Sequence, residues 1–220
     1  MGKSPNSPST KVEKALYLAS SYTGEVKPVN LDKMDKSAKL HIEKIKESHA
    51  ESVLDFGCGA GGILLALQQA GIKEIHGIDA SPEAIEMVKK RFEKFGTLEN
   101  TSFTAGNIIQ FDPPIVEAVS SHFVLCCHPD AMGMVNKATE KHPEIVVISF
   151  PKDNLLTKSA ATFINTMVWI VSRFISSLRG LGWYAHSTTL IKAKFEENGY
   201  HLVFAKESFI SQTLVYEKTK

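Results

Sequence analysis

The sequence predicts an α/β protein: a mostly parallel sheet of seven strands with helices on both faces. Two observations carry that expectation. Short apolar runs of strand length alternate with longer segments whose apolar residues recur at helical spacing, the pattern of strand–helix–strand units. The chain is also long enough, at 220 residues with 43% hydrophobic and 22% charged residues, for one full α/β domain with a substantial core.

Taken in order, Met1 to about Lys11 is small, polar and proline-bearing, and reads as a disordered tail. Helices are expected near Val12–Ser21 and Asp32–Ser48, split by Thr23-Gly24 and Pro28. In the second, Met34, Ala38, Ile42 and Ile45 share one face. Ser52–Phe56 is a strand running into Gly57, and Gly61–Ala70 an apolar helix closed by Gly71. Glu74–Ile78 is a second strand, ending at Asp79. The helix Glu83–Phe95 follows, with Ile85, Val88, Phe92 and Phe95 on one face, Ser81 as its N-cap and Pro82 in its first turn. Further strands are expected at Thr101–Ala105, Ile115–Ser120 and Ile145–Phe150. A long apolar helix begins after Asn154, another helix lies near Thr188–Asn198, and strands near Tyr200–Lys206 and Phe209–Tyr216 close the chain. Residues 12–220 are expected to form one domain: N-terminal helices (12–50), a ligand-binding half (51–150) and a second half (151–220) facing a reaction partner.

Composition narrows the function. A formal net charge of +1 gives no global field for nucleic acid or an anionic surface. Cys58, Cys126 and Cys127 offer no disulfide framework and no CxxC pair, so a reducing cytoplasm is the simplest setting and no metal is expected. The N-terminus lacks the apolar core of a signal peptide, and Asn6 stands where a myristoylation motif needs Ser or Thr. The apolar stretch Leu155–Leu178 is broken by Lys158, Asn165 and Arg173, so it reads as a buried or ligand-covering helix and not as a membrane span.

The most informative segment is Asp55-Phe56-Gly57-Cys58-Gly59-Ala60-Gly61-Gly62. It follows a strand and opens a helix, the context of a cofactor-binding turn in which glycines let the main chain approach a ligand. Asp79 ends the next strand, where a carboxylate can grip ribose hydroxyls. Gly57, Gly59 and Gly62 also satisfy a GxGxxG pattern, so a nicotinamide dinucleotide is the competing ligand. Asp55 opposes it, because a pyrophosphate would meet an added negative charge there. A donor carrying an ammonium and a sulfonium tolerates that acid. About 50 residues also precede the first strand, whereas dinucleotide folds often begin with it.

Val53-Leu54-Asp55-Phe56-Gly57-Cys58-Gly59-Ala60-Gly61 resembles the first motif of class I S-adenosylmethionine-dependent methyltransferases, and Gly77-Ile78-Asp79-Ala80-Ser81 resembles the second. The resemblance implies a Rossmann-like sheet with an antiparallel last strand and S-adenosylmethionine as methyl donor. It implies that Gly57, Gly59 and Gly61, with Asp55 and Cys58, line the methionine portion. Asp79 would bind the ribose, Ala80 would lie beside the adenine, and Asn107 and Ile108 would stand where many members carry an acid for the adenine amine. Val119-Ser120-Ser121-His122-Phe123-Val124-Leu125 resembles the fourth strand and the turn that closes over the donor, which makes Ser121 and His122 donor-site candidates. The second half also resembles, more weakly, magnesium-protoporphyrin O-methyltransferases.

Asp112-Pro113-Pro114-Ile115 imitates the Asp-Pro-Pro-aromatic motif of amine methyltransferases, but its fourth residue is not aromatic and it precedes the fourth strand. It reads as a turn. The segment from Leu155 to His186 is expected to roof an apolar acceptor pocket, with Arg173 and Tyr184 contacting the acceptor and His128 or His186 as general base. A small-molecule acceptor, apolar or ring-bearing, is the leading expectation, with no nucleic-acid partner. An RNA or protein methyltransferase and a non-catalytic donor-binding protein are the alternatives.

Overall fold

The computed structural model describes residues 25–171 and 182–220. The expected tail, the helix at Val12–Ser21, and Arg173 lie outside the described residues. Seven strands form one sheet: β1 (Ser52–Phe56), β2 (Glu74–Asp79), β3 (Thr101–Ala105), β4 (Ala118–His122), β5 (Ile145–Pro151), β6 (Tyr200–Glu207) and β7 (Ser211–Lys218). Their order is β3-β2-β1-β4-β5-β7-β6. The first five are parallel, and β7 runs antiparallel to both its neighbours.

Every residue of β1 and β5 is buried, as expected of parallel strands covered on both faces. One face carries Val53, Ile75, Ala118, Ile145, Val147 and Val215 into a core shared with α1 (Lys36–Glu47), α2 (Gly62–Gln69) and α3 (Pro82–Phe95). The other carries Leu54, Phe56, Ile78, Val119, Val146, Ile148, Leu214 and Tyr216 against α4 (Ala131–Thr139) and α6 (Thr188–Glu197). α5 (Leu155–Val171) follows β5.

Four elements differ from the sequence reading. The expected helix Asp32–Ser48 is split, because the Asp35 carboxylate accepts the Ser37 and Ala38 N–H groups and starts α1 after a separate 3-10 turn at Leu31–Lys33. β4 begins at Ala118, where pairing with Val53 and Ile145 starts, and Ile115 stays exposed. β7 begins at Ser211, leaving Phe209 and Ile210 in the hairpin turn. α4 has no counterpart among the expected elements. It is capped by Asp130, which accepts the Gly133 N–H at 2.7 Å, and a Cβ at Gly133 would fall 2.2 Å from that carboxylate. Asp112-Pro113-Pro114 precedes β4 at the sheet's amino end, away from the cofactor turn, and Asp112 pairs with Lys141 at 2.9 Å.

Candidate active site

The turn between β1 and α2 is held by backbone bonds: Gly57 N and Cys58 N both donate to the Ile78 carbonyl, at 2.7 and 3.1 Å. Glycine is required here on two counts. Gly57 and Gly61 have φ of 68° and 75°, and a Cβ on them would lie 2.3 Å from a Val124 methyl and 2.2 Å from a Val88 methyl. The turn is therefore pressed against both α3 and the segment after β4. Gly59, with φ of 52°, donates its N–H to Asp79 Oδ2 at 2.9 Å, while Asp79 Oδ1 accepts from Ser81 N at 2.9 Å. Asp79 thus pins the turn to the start of α3. Burial raises its pKa, and those two N–H groups pull it back.

Asp55 lies at the mouth of this turn and is almost wholly buried. Burial pushes its pKa up to about 7; a hydrogen bond from Ser120 works against the rise and the charge of Asp79 adds to it. Its Oδ1 is buried without a hydrogen-bond partner, and so is Ser121 Oγ on β4. A buried, unpartnered carboxylate oxygen is costly unless a donor group fills it. The Cys58 thiol, beside both acids, is also raised by burial and by their charges.

A buried histidine supports Asp55 from behind. His41 of α1 places Nδ1 2.9 Å from Ser120 Oγ and Nε2 2.8 Å from Ser149 Oγ, and Ser149 continues to Thr213 Oγ1 at 2.8 Å. Burial, with repulsion from His122, lowers the His41 pKa to about 3 against the opposing pull of Asp35, so the ring is neutral. This seam crosses α1, β4, β5 and β7. The sequence offered one signal for it: His41 falls among Ala38, Ile42 and Ile45 on the apolar face of α1. Its partners become visible only once the sheet is assembled.

His122 ends β4 and turns to the start of α1, with Nε2 2.8 Å from Ser37 Oγ and 3.4 Å from Asp35 Oδ1. Burial lowers its pKa while Asp35 raises it. After His122, Phe123 adopts φ of 56°, a left-handed conformation uncommon for an aromatic residue, and its carbonyl accepts both the Cys126 and Cys127 thiols. Beyond β3, Gly106 N donates to the Asp79 carbonyl at 2.9 Å, which keeps Asn107 and Ile108 beside the end of β2. The Asn107 side chain accepts from Ile109 N at 2.9 Å and caps the following 3-10 turn; Ile108 is buried. Ala80 is half-buried between Asp79 and the α3 cap.

A second cluster stands on the turn after β4. Tyr184 N donates to the Cys126 carbonyl at 2.8 Å, and His186 Nε2 meets the carbonyls of Leu125 and His128 at 2.9 and 2.8 Å. The Tyr184 and His186 rings stack at 5.7 Å. His128 is buried, its Nδ1 accepts from Asp130 N at 3.0 Å, and burial lowers its pKa. Asn165 of α5 grips Trp183 with both ends of its amide, at 2.9 and 2.8 Å, tying α5 to the carboxyl end of β4. The structure therefore gathers Asp55, Gly57, Cys58, Gly59, Gly61 and Asp79 around one turn. It sets His128, Tyr184 and His186 together next to it, with Val124 as the hinge between the two groups.

Residues 53–141 match the model of a family described as a methyltransferase domain. With the sheet order and the Gly-rich turn, the fold is the Rossmann-like one shared with solved S-adenosylmethionine-dependent methyltransferases, and residues 53–141 are similar to that domain. Among sequence relatives, the probable cobalt-precorrin-6B C(15)-methyltransferase (decarboxylating) of Saccharolobus solfataricus is 25% identical over 147 residues, 66% of this chain and 67% of that protein. Among solved structures, the magnesium protoporphyrin IX methyltransferase of Synechocystis with bound SAM superposes with a TM-score of 0.63 at 16% identity. That match covers 84% of this chain and 79% of the other. A SAM-dependent methyltransferase from Aquifex aeolicus gives a TM-score of 0.57 at 16% identity, over 86% and 96% of the two chains.

Proposed function

We propose that the chain transfers the methyl group of S-adenosylmethionine to a small, ring-bearing or apolar acceptor. The observation that carries the reading is the buried, unpartnered Oδ1 of Asp55 at the mouth of the glycine turn. An ammonium group satisfies it, whereas a pyrophosphate would be repelled by it. The residues present fit the donor: Asp55 would hold its ammonium and Asp79 its ribose hydroxyls, while Gly57, Cys58, Gly59 and Gly61 offer main chain without a Cβ in the way at the glycines. Ala80, Asn107 and Ile108 would border the adenine, and Ser121 and His122 would close the β4 side. When bound, S-adenosylmethionine supplies a methyl group already activated on a sulfonium, so the protein's work is positioning and exclusion of water.

On the acceptor side, the neutral His128 ring accepts at Nδ1 and so carries its hydrogen on Nε2, presenting a donor. His186 directs Nε2 at two carbonyls, which leaves Nδ1 as its basic nitrogen. His186 is therefore the better placed of the two to take a proton, with Tyr184 against its face. A ring-bearing acceptor is supported by the precorrin and protoporphyrin substrates named for two of the relatives. Titration calorimetry with S-adenosylmethionine, its demethylated product and NAD tests the donor. Tight NAD binding without donor binding overturns the reading. Mass-spectrometric detection of a methylated product from a precorrin- or porphyrin-type acceptor tests the transfer, and donor binding with no transfer to any small molecule would leave a binding protein.

A further inference from the structure

The sheet face that meets α1 is apolar until one row near the donor turn. There β1, β4, β5 and β7 set Val53, Ala118, Val147 and Val215 into the core. The neighbouring position on the same face of each strand is polar: Asp55, Ser120, Ser149 and Thr213. Asp55 pairs with Ser120 and Ser149 with Thr213, but Ser120 lies opposite Val147, two residues short of Ser149. His41 of α1 fills that offset, with Nδ1 2.9 Å from Ser120 Oγ and Nε2 2.8 Å from Ser149 Oγ, and Thr213 Oγ1 lies 2.8 Å beyond Ser149. Ser120 also hydrogen-bonds the Asp55 carboxyl, whose Oδ1 has no partner. All five residues are buried. An unbroken row of hydrogen bonds therefore runs from the donor turn through α1 to β7.

Such a row has two directions. A neutral imidazole has one N–H and one lone pair, and a hydroxyl has one hydrogen to give, so each member fixes the next. When Asp55 is ionised it only accepts: Ser120 donates to it, His41 donates from Nδ1 to Ser120, Ser149 donates to Nε2, and Thr213 donates to Ser149. When Asp55 carries a proton and gives it to Ser120, every bond reverses and His41 holds its hydrogen on Nε2. We propose that the row is one relay whose direction is set by what occupies Asp55, with His41 as a positioning residue for the methyl donor. The donor's ammonium selects the Nδ1–H form, which turns the Ser120 hydroxyl onto Asp55, whereas a proton in the ammonium's place selects the Nε2–H form. This rests on Asp55 being the partner of that ammonium. The balance is one proton: as the ammonium arrives, each hydrogen of the row moves one place toward β7 and one proton leaves to the buffer. Burial favours the protonated acid before the donor binds, holding the Asp55 pKa at about 7. Asp79 at the end of β2 and the Cys58 thiol of the turn face Asp55. His122 of β4, its ring 5.3 Å away, and Asp35 at the start of α1 face His41. His41 stays neutral near pH 7, its pKa lowered to about 3, so it changes tautomer and not charge.

Nitrogen NMR of the full chain, isotope-labelled at histidine, reads the tautomer, because protonated and bare ring nitrogens resonate far apart. The His41 signals are those lost in His41→Gln or His41→Asn. In the ligand-free protein, raising the pH from about 6 to about 8 should carry His41 from Nε2–H to Nδ1–H. Saturation with the demethylated product at about pH 6, where the acid is otherwise protonated, should do the same. Asp55 must give up its proton to receive the ammonium, so product affinity by calorimetry should fall about tenfold for each pH unit below about 7. Ser120→Ala removes the bond that favours the ionised acid and cuts the row. It should shift that affinity profile to higher pH and leave His41 in one tautomer whatever the pH or ligand. A wild-type His41 tautomer that neither pH nor product changes overturns the proposal, as does an affinity profile that Ser120→Ala leaves in place. Product that binds at no pH would sink the donor reading instead, and the ligand-free titration of the His41 tautomer would still decide the relay.

Discussion

Replacing Asp55 with Asn separates what this carboxylate costs the fold from what it does for the donor. Asp55 titrates near 3.8 when unperturbed and at about 7 in the fold, burial being the main cause. That rise corresponds to at most about 4 kcal/mol of stability withheld from the protein once the group is ionised. The sign follows from proton binding. Between pH 4 and 7 the folded state holds the proton that the unfolded state has released, so raising the pH favours unfolding until Asp55 itself ionises. Asp55→Asn should therefore match the wild type near pH 4 and become progressively more stable than it up to about pH 7, with a constant advantage above. Urea denaturation of the two ligand-free proteins across that range measures it. The same variant should lose donor affinity by about tenfold to a hundredfold, since the ammonium loses its counter-charge. A variant no more stable than the wild type at pH 7 would refute the argument that Asp55 is a buried, uncompensated acid. Unchanged donor affinity would show that the ammonium is held elsewhere.

The remaining predictions follow from neighbouring contacts. Asp79→Ala should weaken donor binding by about 1–3 kcal/mol and also lower the melting temperature, because Gly59 N and Ser81 N lose their acceptor; calorimetry and thermal melts read the two effects, and unchanged affinity would place the ribose elsewhere. Gly57→Ala should reduce donor affinity at least about tenfold, through a left-handed φ costing about 1–2 kcal/mol and a clash with Val124. Adding Val124→Ala should restore only part of the loss, and full restoration would mean that the backbone conformation is not under strain. His41→Phe should destabilise the fold by about 2 kcal/mol or more at neutral pH by stripping partners from Ser120 and Ser149. Because the His41 pKa is lowered to about 3, the wild type loses stability as pH falls from about 6.5 toward 3, and this contribution should vanish in the variant. Urea titrations at several pH values would show it, and a slope identical to the wild type's would assign the acid sensitivity to other groups.

The sequence alone determined the parts of this protein that are local. A glycine turn must follow β1, because strand, Asp55 and three closely spaced glycines occur within ten residues. α3 must start at Pro82 because Ser81 caps it, and its single apolar face dictates which side meets the sheet. Those signals act over one or two turns of chain, so they are legible without a fold. The antiparallel last strand was read through resemblance to a family, since nothing in the run from Ser211 to Lys218 says which neighbour it pairs with. Tertiary structure decided the rest. That Gly57 is closed in by Val124, that Asp55 is left with an unpartnered oxygen, and that His41 bridges Ser120 and Ser149 are all facts about residues 65 or more positions apart brought together by sheet order. α5 marks the limit most clearly. Its composition predicts burial, yet its small and polar stripe faces the protein while Leu156, Phe163, Met167 and Ile170 face out. Periodicity says that a helix has an apolar face, and only packing says which way that face turns.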